Sequence, residues 1–220
     1  MKNALSYTEE DYLKAIYQLS ANSLNVSTNA IAEALDTKPA SVSDMIKRLS
    51  SKNYIHYIKY KGVSLTEEGK KYALRIVRKH RLWEVFLVEK LGFNWDEVHE
   101  IAEQLEHIRS SVLIEKLDIY LGCPEYDPHG DPIPNRDGTF PSKEKVLLSE
   151  LPIHDKGIII GVSDGNPALL RHLDKLCITL GALIEVVDRI EYDQSMEIKI
   201  GQNAPILISR EVAQNIYIKK

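Results

Sequence analysis

Apolar positions recur mostly at helical spacing from residue 6 to about residue 121, and in short alternating runs after residue 145. Residues 6–20 place Tyr12, Ala15, Ile16 and Leu19 on one stripe, with Glu9, Glu10 and Asp11 in a first turn that favours carboxylates. After a polar break at Asn22–Asn25, Ser27 is set to cap a short helix carrying Ile31, Ala32 and Leu35. Asp36-Thr37-Lys38 reads as a tight turn. Thr37 is the expected cap of the next helix, and Pro39 falls in the first turn, where its missing N–H costs nothing. That helix turns Val42, Met45, Ile46 and Leu49 inward. Tyr54 to Tyr60 and Val63 to Leu65 then alternate around Lys61-Gly62, which predicts a β-hairpin.

Thr66 caps a long helix expected to reach about Lys90, ending in Leu82, Trp83, Phe86, Leu87 and Leu91 before Gly92. Large apolar residues crowded on one helix end suggest either a dimer seam or a monomer core. A further helix is expected to start at Asn94 or Asp96, and another to cover 111–121. Residues 122–141 turn rich in Pro, Gly and Asp and read as a linker with little regular structure. Beyond it, strands are expected at 157–162, 183–188, 197–200, 206–208 and 216–218, with a helical piece near 168–173. Those elements suit a small five-stranded barrel.

One helix carries chemistry. In His99-Glu-Ile-Ala-Glu-Gln-Leu-Glu-His107, the residues His99, Glu103, Glu106 and His107 share a face, while Ile101, Ala102, Leu105 and Ile108 fall on the other side. Imidazole and carboxylate together suit a divalent ion such as manganese, iron or zinc. A solvated acidic face would give the same pattern. The upstream His80 and Glu84, again at i, i+4, favour the metal reading.

Charge divides the chain. Residues 1–82 hold 14 Lys+Arg against 8 Asp+Glu, whereas residues 83–220 hold 14 against 24. A basic head joined to an acidic body suggests nucleic-acid binding plus another task. Two helices joined by a short turn and followed by a basic hairpin make the order of a winged helix-turn-helix. Thr37, Lys38, Pro39, Ser41, Ser43 and Lys47 are then placed to meet DNA from the second helix, and Lys59 and Lys61 from the wing. Thr37 and Pro39 serve equally well as helix-start residues. Hydrophobic content of 44% is ordinary for a globular protein, and no apolar run approaches a membrane span. A cytoplasmic protein without membrane contact is expected. Cys123 and Cys177 form no metal-type or disulfide pattern and should be idle or buried thiols.

The ordered motifs resemble the diphtheria-toxin-repressor (DtxR) type of metal-dependent transcriptional regulator, which includes manganese-responsive (MntR-type) members. The matching stretches are Thr8-Glu-Glu-Asp-Tyr-Leu, Pro39-Ala-Ser-Val-Ser, Leu65-Thr-Glu-Glu-Gly-Lys, Arg78-Lys-His-Arg-Leu-Trp-Glu, Val98-His-Glu, Glu106-His107 and Pro128-His-Gly-Asp-Pro-Ile-Pro, followed by a part similar to the SH3-like FeoA barrel. The resemblance implies a mainly α protein with a small β part. It divides into a winged helix-turn-helix at 1–72, a helical metal-binding and dimerisation domain at 73–141, and an SH3-like β-barrel at 142–220.

The resemblance also implies a regulatory metal site of Asp11, Glu103, Glu106 and His107, and a second site of His80, Glu84 and His99. His129 is a further candidate ligand, with Asp127 or Asp164 as ancillary ones; each could equally be a loop residue. Iron-type relatives place Met and Cys where this chain has Asp11 and Glu103, and carboxylates in place of sulfur favour Mn2+ over Fe2+. Asp11 alone could also serve as a helix-dipole partner. Short manganese-type relatives carry a Glu where this chain has Lys14, which cannot ligate when protonated, so separate sites are expected rather than a two-metal cluster.

The function expected is that of a homodimeric repressor, bound to a palindromic double-stranded DNA operator and controlling metal uptake. Metal would fix the DNA-binding head against the dimer core; without it, close carboxylates would repel and the heads wander. The competing readings are a helical metal-dependent hydrolase or oxygen-handling protein, and a winged-helix module whose barrel binds a protein. No nucleophile motif or phosphate loop supports an enzyme.

Overall fold

The computed structural model describes residues 5–21, 25–58, 61–94, 97–141, 145–162 and 167–220. Lys59, Asp96, Asp164 and part of the polar break at 22–25 lie outside the described residues. The chain forms two compact units: Met1–His80 with Gln104–Arg109 and Pro134–Thr139, and Arg81–Glu103 with Ser110–Ile133 and Phe140–Lys220.

The first unit opens with helix α1 (Tyr7–Leu19), started by a capping box in which the Ser6 hydroxyl accepts from the Glu9 N–H and the Glu9 carboxylate accepts from the Ser6 N–H. Helix α2 (Thr28–Ala34) is capped by Ser27, as its sequence predicts. Helix α3 (Pro39–Ser51) has Pro39 at its start, but Lys38 rather than Thr37 occupies the cap position, without a side-chain bond. Half-buried Thr37 instead hydrogen-bonds Tyr12. Strands β1 (Ile55–Ile58) and β2 (Gly62–Leu65) pair antiparallel from Ile55↔Leu65 to Ile58↔Gly62. Leu13, Ile16, Ile31, Val42, Ile46, Leu49, Ile55 and Val63 close one core beneath these elements. Helix α4 (Glu67–Leu91) follows and contributes residues up to His80 to this unit.

Glu9 ties α1 to α3. Its carboxylate lies 2.8 Å from Arg48 Nε and 2.5 Å from Lys52 Nζ. Burial pushes the Glu9 carboxyl up, but Lys52, the Ser6 amide and Arg48 more than offset this and hold it below its ordinary value.

The second unit contains the rest of α4, most of α5 (Val98–Leu105), and α6 (Ser111–Tyr120). It also contains β3 (Val146–Leu147), β4 (Lys156–Val162), α7 (Pro167–Lys175), β5 (Leu183–Arg189), β6 (Met196–Ile200), β7 (Ile206–Ile208), α8 (Arg210–Ala213) and β8 (Ile216–Lys219). The sheet runs β3-β8-β4-β5-β6-β7, every pair antiparallel. Six strands therefore stand where five are expected. The extra strand is only two residues long, too short to show an alternating pattern. Its core gathers Leu148, Ile159, Leu170, Leu173, Val186, Ile198 and Ile216.

Two expectations hold only in part. The stretch after residue 121 has little regular structure, as its composition predicts, but it is packed in place: Arg81 donates to the Pro132 carbonyl at 2.5 Å and to Asp131 at 2.9 Å, and Tyr126 bridges Pro132. Gly130, at φ +78°, packs its Cα against Gly161 of β4. A Cβ on Gly161 would stand 1.9 Å from that Cα, a clash with backbone that no rotamer relieves. Gly161→Ala should therefore lower stability by about 1–3 kcal/mol, measured as a fall in the urea midpoint. Second, the end of α4 packs inward. Leu82, Trp83 and Leu87 are buried by their own chain, so they are unavailable as a dimer seam. The thiols Cys123 and Cys177 are free and exposed. No helix among the described residues is long and apolar enough to cross a membrane.

Candidate metal centre

The candidate ligands of the first unit come from three elements. Asp11 projects from α1, His80 from α4, and Glu106 and His107 from the turn just past α5, which ends at Leu105. The expected helix through residue 107 is thus two residues too long. Ile108 closes the end by donating its N–H to the Leu105 carbonyl at 3.1 Å. The turn keeps Glu106 and His107 directed at α1.

Burial separates these groups sharply. Glu106 is fully buried and the His107 side chain is 11% exposed, while Asp11 is 40% exposed and borders solvent. His107 Nε2 lies 3.1 Å from Asp11 Oδ1, and its Nδ1 lies 2.8 Å from Glu10 Oε2. Glu10 also accepts a hydrogen bond from the Tyr72 hydroxyl at 3.0 Å. Burial and the neighbouring Glu10 together push the Tyr72 hydroxyl well above its ordinary value. The Tyr7 ring stacks on His107, centroids 4.6 Å apart. Glu10 and Tyr7 therefore fix the imidazole so that Nε2 is the nitrogen offered to an ion beside Asp11.

Glu106 is held differently. His80 Nδ1 is 2.6 Å from its Oε2, and Lys14 Nζ lies 2.8 Å from both oxygens while donating its hydrogen bond to Oε2. Oε1 is left buried with an ionic contact and no hydrogen bond. Burial pushes this carboxyl up, yet His80 and Lys14 overcome that and hold it below its ordinary value. Its charged form is favoured, with the Lys14 ammonium against both oxygens. The carboxylates here are consequently not left to repel one another, as the sequence suggests, because Lys14 lies among them. Replacing Glu106 by alanine would strand that buried cation, at about 3–5 kcal/mol of stability.

Asp11, Glu106 and His107 offer ligand atoms within 4.8 Å of one another. Two oxygens and a nitrogen, one oxygen buried and lacking a donor, suit a divalent ion; slight side-chain movement would bring all three to bonding distance.

The second unit holds another acidic and imidazole cluster. Glu84, with a 2% exposed side chain, lies 3.4 Å from His99 Nδ1 and 3.7 Å from His129 Nε2. His80 precedes Glu84 by one turn of α4, as the i, i+4 spacing requires. Asp127 is buried, 3.3 Å from Arg81 Nε, and its carboxyl is pushed up to about 8, first by burial and then by Glu84. Glu103 is half-exposed and faces His99 at 3.5 Å across one turn of α5.

On α3, Lys38, Pro39, Ser41, Ser43 and Lys47 are exposed, as DNA contact would require, and Lys61 is exposed on the wing. Lys47 pairs with Asp44 at 3.1 Å, an exposed contact that phosphate could replace. In the local sequence Glu10 reads as a helix-dipole partner and Lys14 only as a missing ligand. Their partners lie 97 and 92 residues away, where no local pattern can signal them.

Residues 4–63 match the family described as iron dependent repressor, N-terminal DNA binding domain. Residues 66–135 match iron dependent repressor, metal binding and dimerisation domain, and residues 146–220 match the FeoA domain. The iron-dependent repressor IdeR of Mycobacterium bovis is 36% identical over 132 residues, covering 60% of this chain and 57% of that protein. A solved structure of a manganese-dependent transcriptional repressor in complex with manganese is 35% identical, covers 96% of this chain and 99% of that one, and superposes with a TM-score of 0.68. ScaR with bound Cd2+ is 32% identical over 96% of this chain and 99% of that one, with a TM-score of 0.62. The winged helix, the divalent-ion centre and the terminal sheet thus fall together in one lineage, and the chain belongs to the DtxR family of metal-dependent DNA-binding transcriptional repressors, which are not enzymes.

Proposed function

We propose that this chain is a homodimeric repressor that binds a palindromic operator when loaded with manganese(II), and that it controls manganese or iron uptake in the cytoplasm. The observation that carries this reading is the grouping of Asp11, Glu106 and His107 in the unit that also holds the winged helix. An ion on these three residues ties α1 to the turn after α5. Because Glu9 fastens α1 to α3, ordering α1 also orders the recognition helix. The resemblance adds Glu103 to this ligand set. The resemblance gives a second ion His80, Glu84 and His99 as ligands, with His129 a further candidate. The division into a head at 1–72, a helical part at 73–141 and a terminal sheet domain at 142–220 belongs to the same reading.

Titration of manganese into the chelated protein tests the centre: His107→Ala should lose one bound equivalent, and retention of every equivalent would refute it. Oxygen ligands favour manganese over iron, so Asp11→Met, which offers a thioether instead, should move the activation midpoint toward iron(II) under anaerobic conditions. An unmodified protein that already responds to iron(II) at a lower free concentration than to manganese(II) would reverse this ranking.

A further inference from the structure

We propose that Lys14 is a built-in competitor for the activating ion: its ammonium occupies the face of Glu106 that the ion must take, and so sets the metal concentration at which the centre fills. This rests on the metal-activated reading above.

Three observations carry it. Lys14 stands three residues after Asp11 on α1, so both side chains project from one side of the helix toward the turn at 106–107. Its Nζ is equidistant, at 2.8 Å, from the two Glu106 oxygens, and its side chain is only 9% exposed. Oε1 is buried with no hydrogen bond to hold it, and the group in ionic contact with it is that same ammonium.

An ion bridging Asp11 and Glu106 would therefore sit beside a buried positive charge. Like charges so close, away from solvent, repel strongly and are poorly screened by salt. A protonated lysine has no lone pair with which to join the coordination sphere. Filling the centre requires the ammonium to move off Glu106, and the free energy of that ion pair is subtracted from the metal affinity. Lys79 also acts electrostatically on the Glu10 and Glu106 carboxylates, but Lys14 is the cation the structure places on both oxygens of Glu106. A residue that merely pinned α1 to the turn would behave oppositely, since its loss would loosen the ligands and weaken metal binding.

The test measures manganese affinity by competition with a chromophoric chelator, on the full chain, for wild type, Lys14→Gln, Lys14→Met and Lys14→Arg. His107→Ala identifies the equivalent that belongs to this centre. Lys14→Gln keeps an amide donor for Glu106 while removing the charge. Both neutral variants should bind that equivalent at least tenfold more tightly than wild type, and Lys14→Arg should stay within threefold. Thermal melts should show the neutral variants less stable than wild type in chelator and equal to it in manganese. Should either unfold in chelator, the manganese concentration that restores folding replaces the affinity, and it should lie below the wild-type binding midpoint. Unchanged or weaker binding by both neutral variants overturns the role of Lys14. If His107→Ala loses no equivalent, the metal centre itself is refuted, whatever the Lys14 variants do.

Discussion

With chelator present, affinity for the operator should fall at least tenfold, and manganese should restore it. Tenfold corresponds to a coupling of about 1.4 kcal/mol between the ion and DNA. Glu106→Gln is the sharpest variant, because it preserves volume and a hydrogen-bonding partner for Lys14 and His80 while removing the ligating charge. It should stay at the chelated affinity at every manganese concentration, with an unchanged circular dichroism spectrum. The coupling runs through α1. Without an ion, Asp11 and His107 meet only at the solvent boundary, so α1 is held to the turn by the Lys14–Glu106 and Glu10–His107 contacts and fluctuates more, together with the α3 it anchors. Each fluctuation must be suppressed when α3 enters the major groove, and that ordering lowers DNA affinity. Fluorescence anisotropy with labelled operator is the measurement. Equal affinities with and without metal would sink the mechanism.

Ile119→Asp should convert a species of about twice 25.0 kDa into a monomer and weaken operator binding by roughly a hundredfold, the scale of a lost bivalent advantage. The choice of residue follows from α6. Ile114 and Leu117 face its core, while Val112, Ile119 and Tyr120 are 60%, 71% and 65% exposed at positions that share the opposite face. Phe86 of α4 extends this patch through a ring contact with Tyr120, centroids 6.4 Å apart. An apolar surface of this kind on the dimerisation region calls for a second copy of the chain. Light scattering with chelator present checks the mass. A monomeric variant that still bound a palindrome with wild-type affinity would refute the arrangement. A dimer that survived the substitution would move the interface elsewhere.

What could be read from the sequence was whatever is periodic or punctuated. Ser27 and Pro39 start their helices where the sequence places them, and all five expected strands appear within a residue or two. The ligand types were legible because i, i+4 spacings repeat. What was illegible lay in pairings between distant residues. Glu106 looked like part of a polar face and is fully buried, because a lysine from another helix neutralises it. Leu82, Trp83 and Leu87 suit an interface or a core and are core, since apolarity does not say which surface will cover it. The Gly130–Gly161 contact left no trace in either local pattern.

The metal-bearing unit is assembled from discontinuous stretches, since residues 104–109 and 134–139 return to pack with residues 1–80. Recombination between relatives is constrained accordingly. A crossover just after the wing would transplant operator choice together with Asp11 and Lys14, yet would leave Glu106 and His107 to the other parent. Such a chimera inherits half a sensor from each lineage. Functional shuffling should tolerate only crossovers that keep α1 and the turn after α5 from a common ancestor.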